Sequence, residues 1–179
     1  MLRLILIYGS IGGLIVVIPM IWGMLTLTPH TAPENGWLIG YLTMIVALTA
    51  VFLGVKHYRD KVLGGAIRFV PALLVGLGIS AVASVFYVVG WEISLELSGF
   101  DFATSYSKGM VEAARAKGAS SAELQKAMAD AAAFVTMYHN PIYRWAITFI
   151  EMFPVGVLIS LITAAVLRND RFLPARART

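Results

Sequence analysis

The sequence predicts an all-α membrane protein, a four-helix bundle with a helical hairpin between its third and fourth spans. Three observations lead to this prediction. Hydrophobic residues make up 59% of the 179 residues and charged residues only 13%, whereas a soluble domain carries about 25% charge. Four apolar stretches are long enough to cross about 30 Å of hydrocarbon, which takes roughly 20 helical residues. Residues 100–139 differ, with charges of both signs and much alanine.

Each apolar stretch is predicted to form one spanning helix, at about residues 4–27, 37–55, 67–97 and 141–167. None alternates with period two, and an open sheet would leave backbone groups without hydrogen-bond partners in lipid. We expect the first stretch to be a retained span, because its apolar run is longer than a signal sequence needs and no small-x-small site follows it cleanly. Residues 1–179 should therefore form a single polytopic membrane domain.

Basic residues mark one side of the predicted membrane domain. The loop "TPHTAPENG" between the first two spans contains no Lys or Arg. By the positive-inside rule both termini are then cytoplasmic, and the basic flanks should meet anionic lipid there. Four tryptophans near the opposite ends of the spans are expected to form an aromatic belt, and the alternative is that they rim an outer pocket. The basic residues are Arg3, Lys56, Arg59, Lys61, Arg68, Arg168, Arg171, Arg176 and Arg178, and the tryptophans are Trp22, Trp37, Trp91 and Trp145.

A helical hairpin is predicted at about residues 101–139, on the outer side of the membrane. Gly118 is a natural helix stop, and Ser120 with Glu123 forms a capping-box signal for the next helix. Asn140 and Pro141 then read as the N-cap and first position of the fourth span. The hairpin either completes the fold as a lid or offers a docking surface. Its apolar stripes are Phe102, Tyr106, Met110 and Ala113, then Leu124, Met128, Ala131, Val135 and Tyr138.

Several segments together resemble one group of small bacterial membrane proteins, domain-of-unknown-function family 4199. They are "DKVLGGAIRF", "GLGISAVASVFYVVGWE", "EAARAKGAS", "MYHNP" and "FPVGVLISLITAAVLRNDRFLPAR". The similarity covers roughly residues 60–176 and is weakest in the first span. The resemblance implies a four-span protein of the bacterial inner membrane with an outer insert. It implies no activity, substrate, cofactor or catalytic residue.

Small residues recur at four-residue steps in the third and fourth spans. Such steps allow helix backbones to approach closely in lipid, so we expect these two spans to be tight antiparallel neighbours. Gly9 and Gly13 provide a shorter face of the same kind on the first span. The steps are Ala72, Gly76, Ser80 and Ser84 in the third span, and Gly156, Ser160 and Ala164 in the fourth.

Glu151 is unexpected because it places a carboxylate inside an apolar span. A charge at the bilayer centre costs roughly 2.5–3.5 kcal/mol on insertion scales, so Glu151 should face the bundle, hold a partner or be protonated. Arg144 lies seven residues earlier in the same span, which is about 10 Å of helical rise and too far for a simple pair. Because the third and fourth spans run antiparallel, Glu92, Glu96 and His139 are further candidates to meet Arg144 and Glu151.

Three interpretations of this cluster are open. It is a structural network in which Arg144 neutralises a glutamate, or a site for protons, an ion or a polar head group. The third interpretation is a metal site on Glu92, Glu96 and His139, since carboxylate and imidazole groups one turn apart can hold a divalent metal. The lone histidines His30 and His57 are expected to be solvated or interfacial.

No motif for phosphate, dinucleotide or haem binding is present, and there is no cysteine. We therefore expect no cofactor, and the charge pattern does not favour nucleic acid. The predicted function is that of a non-catalytic subunit or accessory component of a membrane complex, with association through a protein partner or a homo-oligomer. The alternative is a small transporter or membrane enzyme that uses the outer Glu, His and Arg cluster to bind an ion, a metal or a lipid head group.

Overall fold

Within residues 1–26 and 36–175, which this computed structural model describes, the chain forms six α-helices and one π-helical segment. Four of these helices are long and apolar enough to cross a membrane, which confirms the predicted all-α, four-span class. His30, Arg176 and Arg178 lie outside the described residues. The helices are α1 (Leu2–Thr26), α2 (Gly36–His57), α3 (Phe69–Ser98), α4 (Phe102–Ala116), α5 (Ser121–Tyr138) and α6 (Pro141–Leu167), and the π-helical segment is Tyr58–Val62.

The second span ends later than predicted, and the third span begins later than predicted. α2 continues to His57 and then into Tyr58–Val62, beyond the predicted end at residue 55. In this segment Arg59 is fully buried, and its guanidinium is bonded to the Phe172 carbonyl. Arg68 has an extended backbone as the N-cap of α3, so that span begins at Phe69 and not at residue 67.

The spanning helices are arranged around α3. α3 packs against α1, α2 and α6, and α2 also contacts both α1 and α6. α1 and α6 therefore lie on opposite sides of the α2–α3 pair. The core lies at this junction, where Leu48 and Val51 of α2 meet Val75 and Ile79 of α3, all of them almost fully buried. We call the end of the bundle beside α4 and α5 the hairpin end, and the opposite end the basic end.

α1 and α3 run parallel and fit together through alternating glycines and large side chains. A Cβ added to Gly9 would lie 2.5 Å from the Cβ of Val82, a distance that real Cβ atoms do not show. The pattern repeats every four residues, so the two backbones stay close over several turns. The facing pairs are Ile5 and Gly78, Gly9 and Val82, Gly13 and Phe86, and Val17 and Gly90.

α3 and α6 run antiparallel and meet through their small residues. A Cβ on Gly76 would lie 2.9 Å from that of Ser160, and one on Gly156 would lie 2.6 Å from that of Ser80. The hydroxyls of Ser80 and Ser160 are 3.2 Å apart, and both side chains are fully buried. The small residues at these steps therefore form contacts between helices of the same chain. Ala72, Ser84 and Ala164 are fully buried as well.

Arg59 holds the segment that follows α6 at the basic end. Its Nη1 donates to the carbonyl of Phe172 at 2.9 Å, and its Nη2 donates to the carbonyl of Leu173. Its Nε donates to Asp60 at 2.6 Å, and Lys56 also pairs with Asp60. The expectation that this basic loop meets lipid therefore does not apply to Arg59, because its guanidinium is enclosed by protein.

α4 and α5 pack against each other beyond the end of α3. Asp101 caps α4 by accepting from the Thr104 amide at 3.0 Å. The predicted capping box is present, since the Ser120 amide donates to Glu123 at 2.8 Å while the Ser120 hydroxyl accepts from the Glu123 amide. Gly118 takes the left-handed conformation that favours glycine, with φ of 75°. These local signals set the bounds of both helices.

Candidate functional site

Arg144 and Glu92 form a bidentate ion pair at the hairpin end. The Arg144 Nε and Nη2 each donate to one oxygen of Glu92 at 2.6 Å. Nη1 donates to the carbonyl of Tyr138 at 3.2 Å, and the guanidinium lies 5.7 Å from the centroid of the Tyr138 ring. One side chain of α6 therefore contacts α3 and the end of α5. Parallel N–H···O bonds to a carboxylate are the strong, geometrically specific form of this interaction.

Glu151 is not part of that pair. It lies ten residues after Pro141, about 15 Å along α6. The Tyr87 hydroxyl of α3 donates to its carboxylate at 3.2 Å. None of the ion pairs among the described residues includes Glu151. The ionisable residues that were expected to meet are therefore in two separate places. Arg144 and Glu92 form an ion pair, and Glu151 is bonded to a tyrosine.

Glu96 and His139 do not join either group. Both side chains are exposed, since Glu96 is on the last turn of α3 and His139 follows the end of α5. In residues 1–26 and 36–175, no three His, Asp or Glu side chains lie close enough to hold a metal ion. The metal trio of Glu92, Glu96 and His139 is therefore not assembled in the described residues, and the carboxylate of Glu92 is bonded to Arg144 instead.

Five aromatic rings form a cluster between α3 and the hairpin helices. Trp91 meets Phe102 edge-on at 5.1 Å between centroids, and the other neighbouring rings are 5.1 to 5.5 Å apart. The Trp91 Nε1 donates to the Tyr138 hydroxyl at 2.7 Å. Burial raises the pKa of the Tyr138 phenol, so its hydroxyl stays protonated. The five rings, called the aromatic cluster below, are Trp91, Phe102, Tyr106, Phe134 and Tyr138.

Sequence reasoning did not find this cluster. It assigned Trp91 to an interfacial belt, treated Phe102, Tyr106 and Tyr138 as apolar stripes, and did not single out Phe134 or Tyr87. A usable signal was present in the sequence. Aromatic residues occur four apart on three consecutive helices, which places each pair on one helix face. The pairs are Tyr87 and Trp91, Phe102 and Tyr106, and Phe134 and Tyr138.

A cavity of about 410 Å³ lies beneath the hairpin and connects the aromatic cluster to Glu151. Ile147 and Ile150 form part of its wall, and both are exposed on the outer surface of α6 at 39% and 64%. The cavity is therefore bordered by exposed apolar residues on the outer surface of a membrane-length helix. We call it the hairpin cavity. It is lined by the aromatic cluster together with Tyr87, Ile147, Thr148, Ile150 and Glu151.

A larger apolar groove of about 600 Å³ lies on the other side of α6. Its wall is almost entirely hydrocarbon, from residues such as Val85, Val89 and Phe149. The one carboxylate that borders it, on Glu92, is bonded to Arg144. The groove therefore offers no free carboxylate, so the hairpin cavity is the better candidate for a specific site.

Comparison with protein-family models finds a match over residues 7–169, to the family described as "Protein of unknown function (DUF4199)". The chain belongs to the DUF4199 family. No curated protein and no solved structure matches it. The match extends over all four spans and over α4 and α5, so both the hairpin cavity and the ion pair lie within the part of the chain that characterises DUF4199.

Proposed function

We propose that this DUF4199 protein is a non-catalytic membrane protein that binds an amphipathic ligand, with the polar end of the ligand in the hairpin cavity. The observation that supports the proposal is the composition of the cavity wall. A carboxylate and a tyrosine hydroxyl, Glu151 and Tyr87, lie within a membrane-length helix pair and beside an otherwise apolar and aromatic wall. Small-molecule sites typically combine such a wall with a few polar groups.

The border of the cavity supports an amphipathic ligand over a fully polar one. Ile147 and Ile150 are side chains that a bilayer would cover, and they also line the cavity. A ligand could therefore keep its chain against the lipid-facing surface while its head reaches Glu151. Thr148 adds no free hydroxyl, because its Oγ1 donates to the carbonyl of Arg144 at 2.8 Å.

The accessory-subunit role stays a prediction with less support than before. It was based partly on small-residue faces suited to association. In the structure these faces pack within the chain, where Gly9 and Gly13 meet α3, and Ser80 meets Gly156 and Ser160. A partner would therefore have to use another surface. Ligand binding by the hairpin cavity is the function with a specific structural observation in its favour.

We further propose that the protein lies in the bacterial inner membrane with both termini in the cytoplasm. Described basic residues at the basic end, such as Lys61 and Arg171, support this orientation through the positive-inside rule. The hairpin and its cavity would then be at the outer leaflet. A cysteine introduced at exposed Lys117 should react with an impermeant thiol reagent in intact cells, and one at exposed Lys61 should not.

Photo-crosslinking tests ligand binding. The protein in lipid nanodiscs is irradiated with dodecanol that carries a diazirine, and the labelled residues are mapped by mass spectrometry. We expect saturable labelling of residues that line the hairpin cavity. Ile147→Trp should reduce this labelling about tenfold, a loss of ~1.4 kcal/mol in binding, because the indole would occupy the cavity from its border.

Ile142→Trp is the matched control. Ile142 is on the same helix and 73% exposed, and it does not line the cavity. Its substitution should leave the labelling unchanged. Labelling that is spread evenly over the lipid-facing helices, or that does not respond to Ile147→Trp, would contradict the proposal.

A further inference from the structure

We infer that the polar end of the ligand is an organic cation, an ammonium or quaternary ammonium group held between Glu151 and the aromatic cluster. This inference rests on the proposed function and specifies the chemical class of the ligand. It is based on three features of the hairpin cavity: the carboxylate, the rings and the local charge balance.

The carboxylate of Glu151 lacks a cationic partner among the described residues. Its one protein hydrogen bond comes from the neutral Tyr87 hydroxyl. Arg144, the cation of the same helix, gives two hydrogen bonds to Glu92 and a third to the Tyr138 carbonyl. Its guanidinium is thus directed at Glu92 and Tyr138 and makes no hydrogen bond to Glu151. Glu151 is exposed at the border of the cavity, and a ligand cation would supply the opposite charge that a carboxylate at membrane depth requires.

The aromatic cluster supplies the second half of a cation site. Ring faces attract cations through their quadrupole, and cages of several rings are the usual means of recognising quaternary ammonium groups. Tyr138 already accommodates one cation, since the Arg144 guanidinium lies 5.7 Å from its ring centroid. The same five rings that line the hairpin cavity lie 5.1 to 5.5 Å from their neighbours, so a small head group can contact more than one of them.

The local charge balance favours a cation and disfavours an anion. Glu92 neutralises Arg144 through the bidentate pair, and Glu151 is the one carboxylate among the described residues that line the hairpin cavity. No described Lys, Arg or His lines the cavity, so an anionic head would approach the Glu151 carboxylate with no positive group in this wall. An ammonium head would pair with it directly.

Competition between amphiphiles of equal chain length tests the inference. The diazirine dodecanol labels the hairpin cavity in nanodiscs, and dodecyltrimethylammonium or uncharged dodecyl maltoside is added as competitor. We expect dodecyltrimethylammonium to displace the label at a concentration about tenfold lower. Glu151→Gln should remove this preference, and Glu96→Gln, at an exposed glutamate of α3, should preserve it. Phe134→Leu should weaken the preference by removing one ring while the carboxylate remains.

The label itself shows whether each variant keeps its cavity, because the uncharged probe should still bind to Glu151→Gln. Equal competition by both amphiphiles in the native protein would overturn the cation inference and leave ligand binding intact. A cation preference that persists in Glu151→Gln would also overturn it. Absence of labelling in the cavity would instead contradict the proposed function.

Tetramethylammonium in the aqueous phase distinguishes the source of the cation. Displacement of the label by this ion alone would support the cation inference with a free, water-borne ligand. Displacement only by the chain-bearing competitor would support a ligand that resides in the membrane. In Glu151→Gln, displacement by tetramethylammonium should disappear, and dodecyltrimethylammonium should displace the label no better than dodecyl maltoside. An advantage of either cation that persists in this variant would count against the site.

Discussion

Arg144 of α6 holds Glu92 of α3 through two hydrogen bonds of 2.6 Å, one to each carboxylate oxygen. The pair joins the first turns of α6 to the last turns of α3, at the level where α5 ends. Because Arg144 also donates to the Tyr138 carbonyl, the orientation of the hairpin and that of the spanning helices depend on the same guanidinium.

Removal of Arg144 should therefore destabilise the protein. Arg144→Ala leaves Glu92 partly buried without its partner, and such losses reach about 3–5 kcal/mol for fully buried pairs. The two side chains are 19% and 29% exposed, so we expect roughly 1–3 kcal/mol after allowance for screening. Thermal unfolding in detergent measures the change. Glu96→Gln should shift the melting temperature little, and an equally small shift for Arg144→Ala would refute the structural role.

The close packing of α1 on α3 predicts a steric effect of one methyl group. Gly9→Ala places a Cβ 2.5 Å from that of Val82, and overpacking of this kind costs about 1–3 kcal/mol. Gly40→Ala is the matched control, because a Cβ there meets nothing within 4 Å and alanine favours the helix. Unfolding by denaturant in mixed micelles should show Gly9→Ala destabilised and Gly40→Ala neutral or slightly stabilised. The reverse order would exclude the parallel α1–α3 contact.

Arg59 should control the segment after α6. Arg59→Ala removes the donors to the carbonyls of Phe172 and Leu173, so the amide hydrogen of Phe172, which donates to the carbonyl of Asn169 at 3.1 Å, should exchange faster. Hydrogen–deuterium exchange with mass spectrometry detects this, and we expect at least about tenfold faster exchange, corresponding to ~1.4 kcal/mol of lost protection. Lys61→Ala, at an exposed residue of the same loop, serves as the control. Unchanged exchange in Arg59→Ala would show that the segment is held by other contacts.

Acid should weaken the two hairpin helices. Hydrogen bonds from Thr104 hold the pKa of Asp101 below its usual value of 3.8, and those from Ser120 hold the pKa of Glu123 below 4.5. A carboxyl with a lowered folded-state pKa stabilises the fold above its unfolded pKa, and loses this contribution as pH falls through the folded value.

The melting temperature of Glu123→Ala relative to the native protein tests this pH dependence. The difference should be constant above about pH 5 and should narrow as the pH falls below 4.5, the usual value for glutamate. Glu112→Ala, in α4, is the control, since Glu112 is not a capping residue. A difference in melting temperature that becomes larger in acid would contradict the predicted direction of the pH dependence.

Local features of the sequence predicted most of the fold. Apolar length identified the four spans, and Ser120 with Glu123 identified the start of α5, because hydropathy and helix capping act over only a few neighbouring residues. The span ends near Arg59 and Arg68 were less accurate. Arg59 lies in the segment after α2, and its guanidinium bonds a carbonyl 113 residues away, a tertiary contact that local sequence does not reveal.

The sequence by itself determined the number of spans, the hairpin helices and the list of ionisable candidates, because these follow from composition and local periodicity. Only the tertiary structure decided which candidates meet. In the structure Arg144 pairs with Glu92, and Glu151 accepts a hydrogen bond from Tyr87 instead. Trp91 contacts Phe102 and Tyr138. The physical reason is that hydrogen bonds and ring contacts require distances of a few ångströms, and the rotation of each helix about its axis sets those distances through packing with its neighbours.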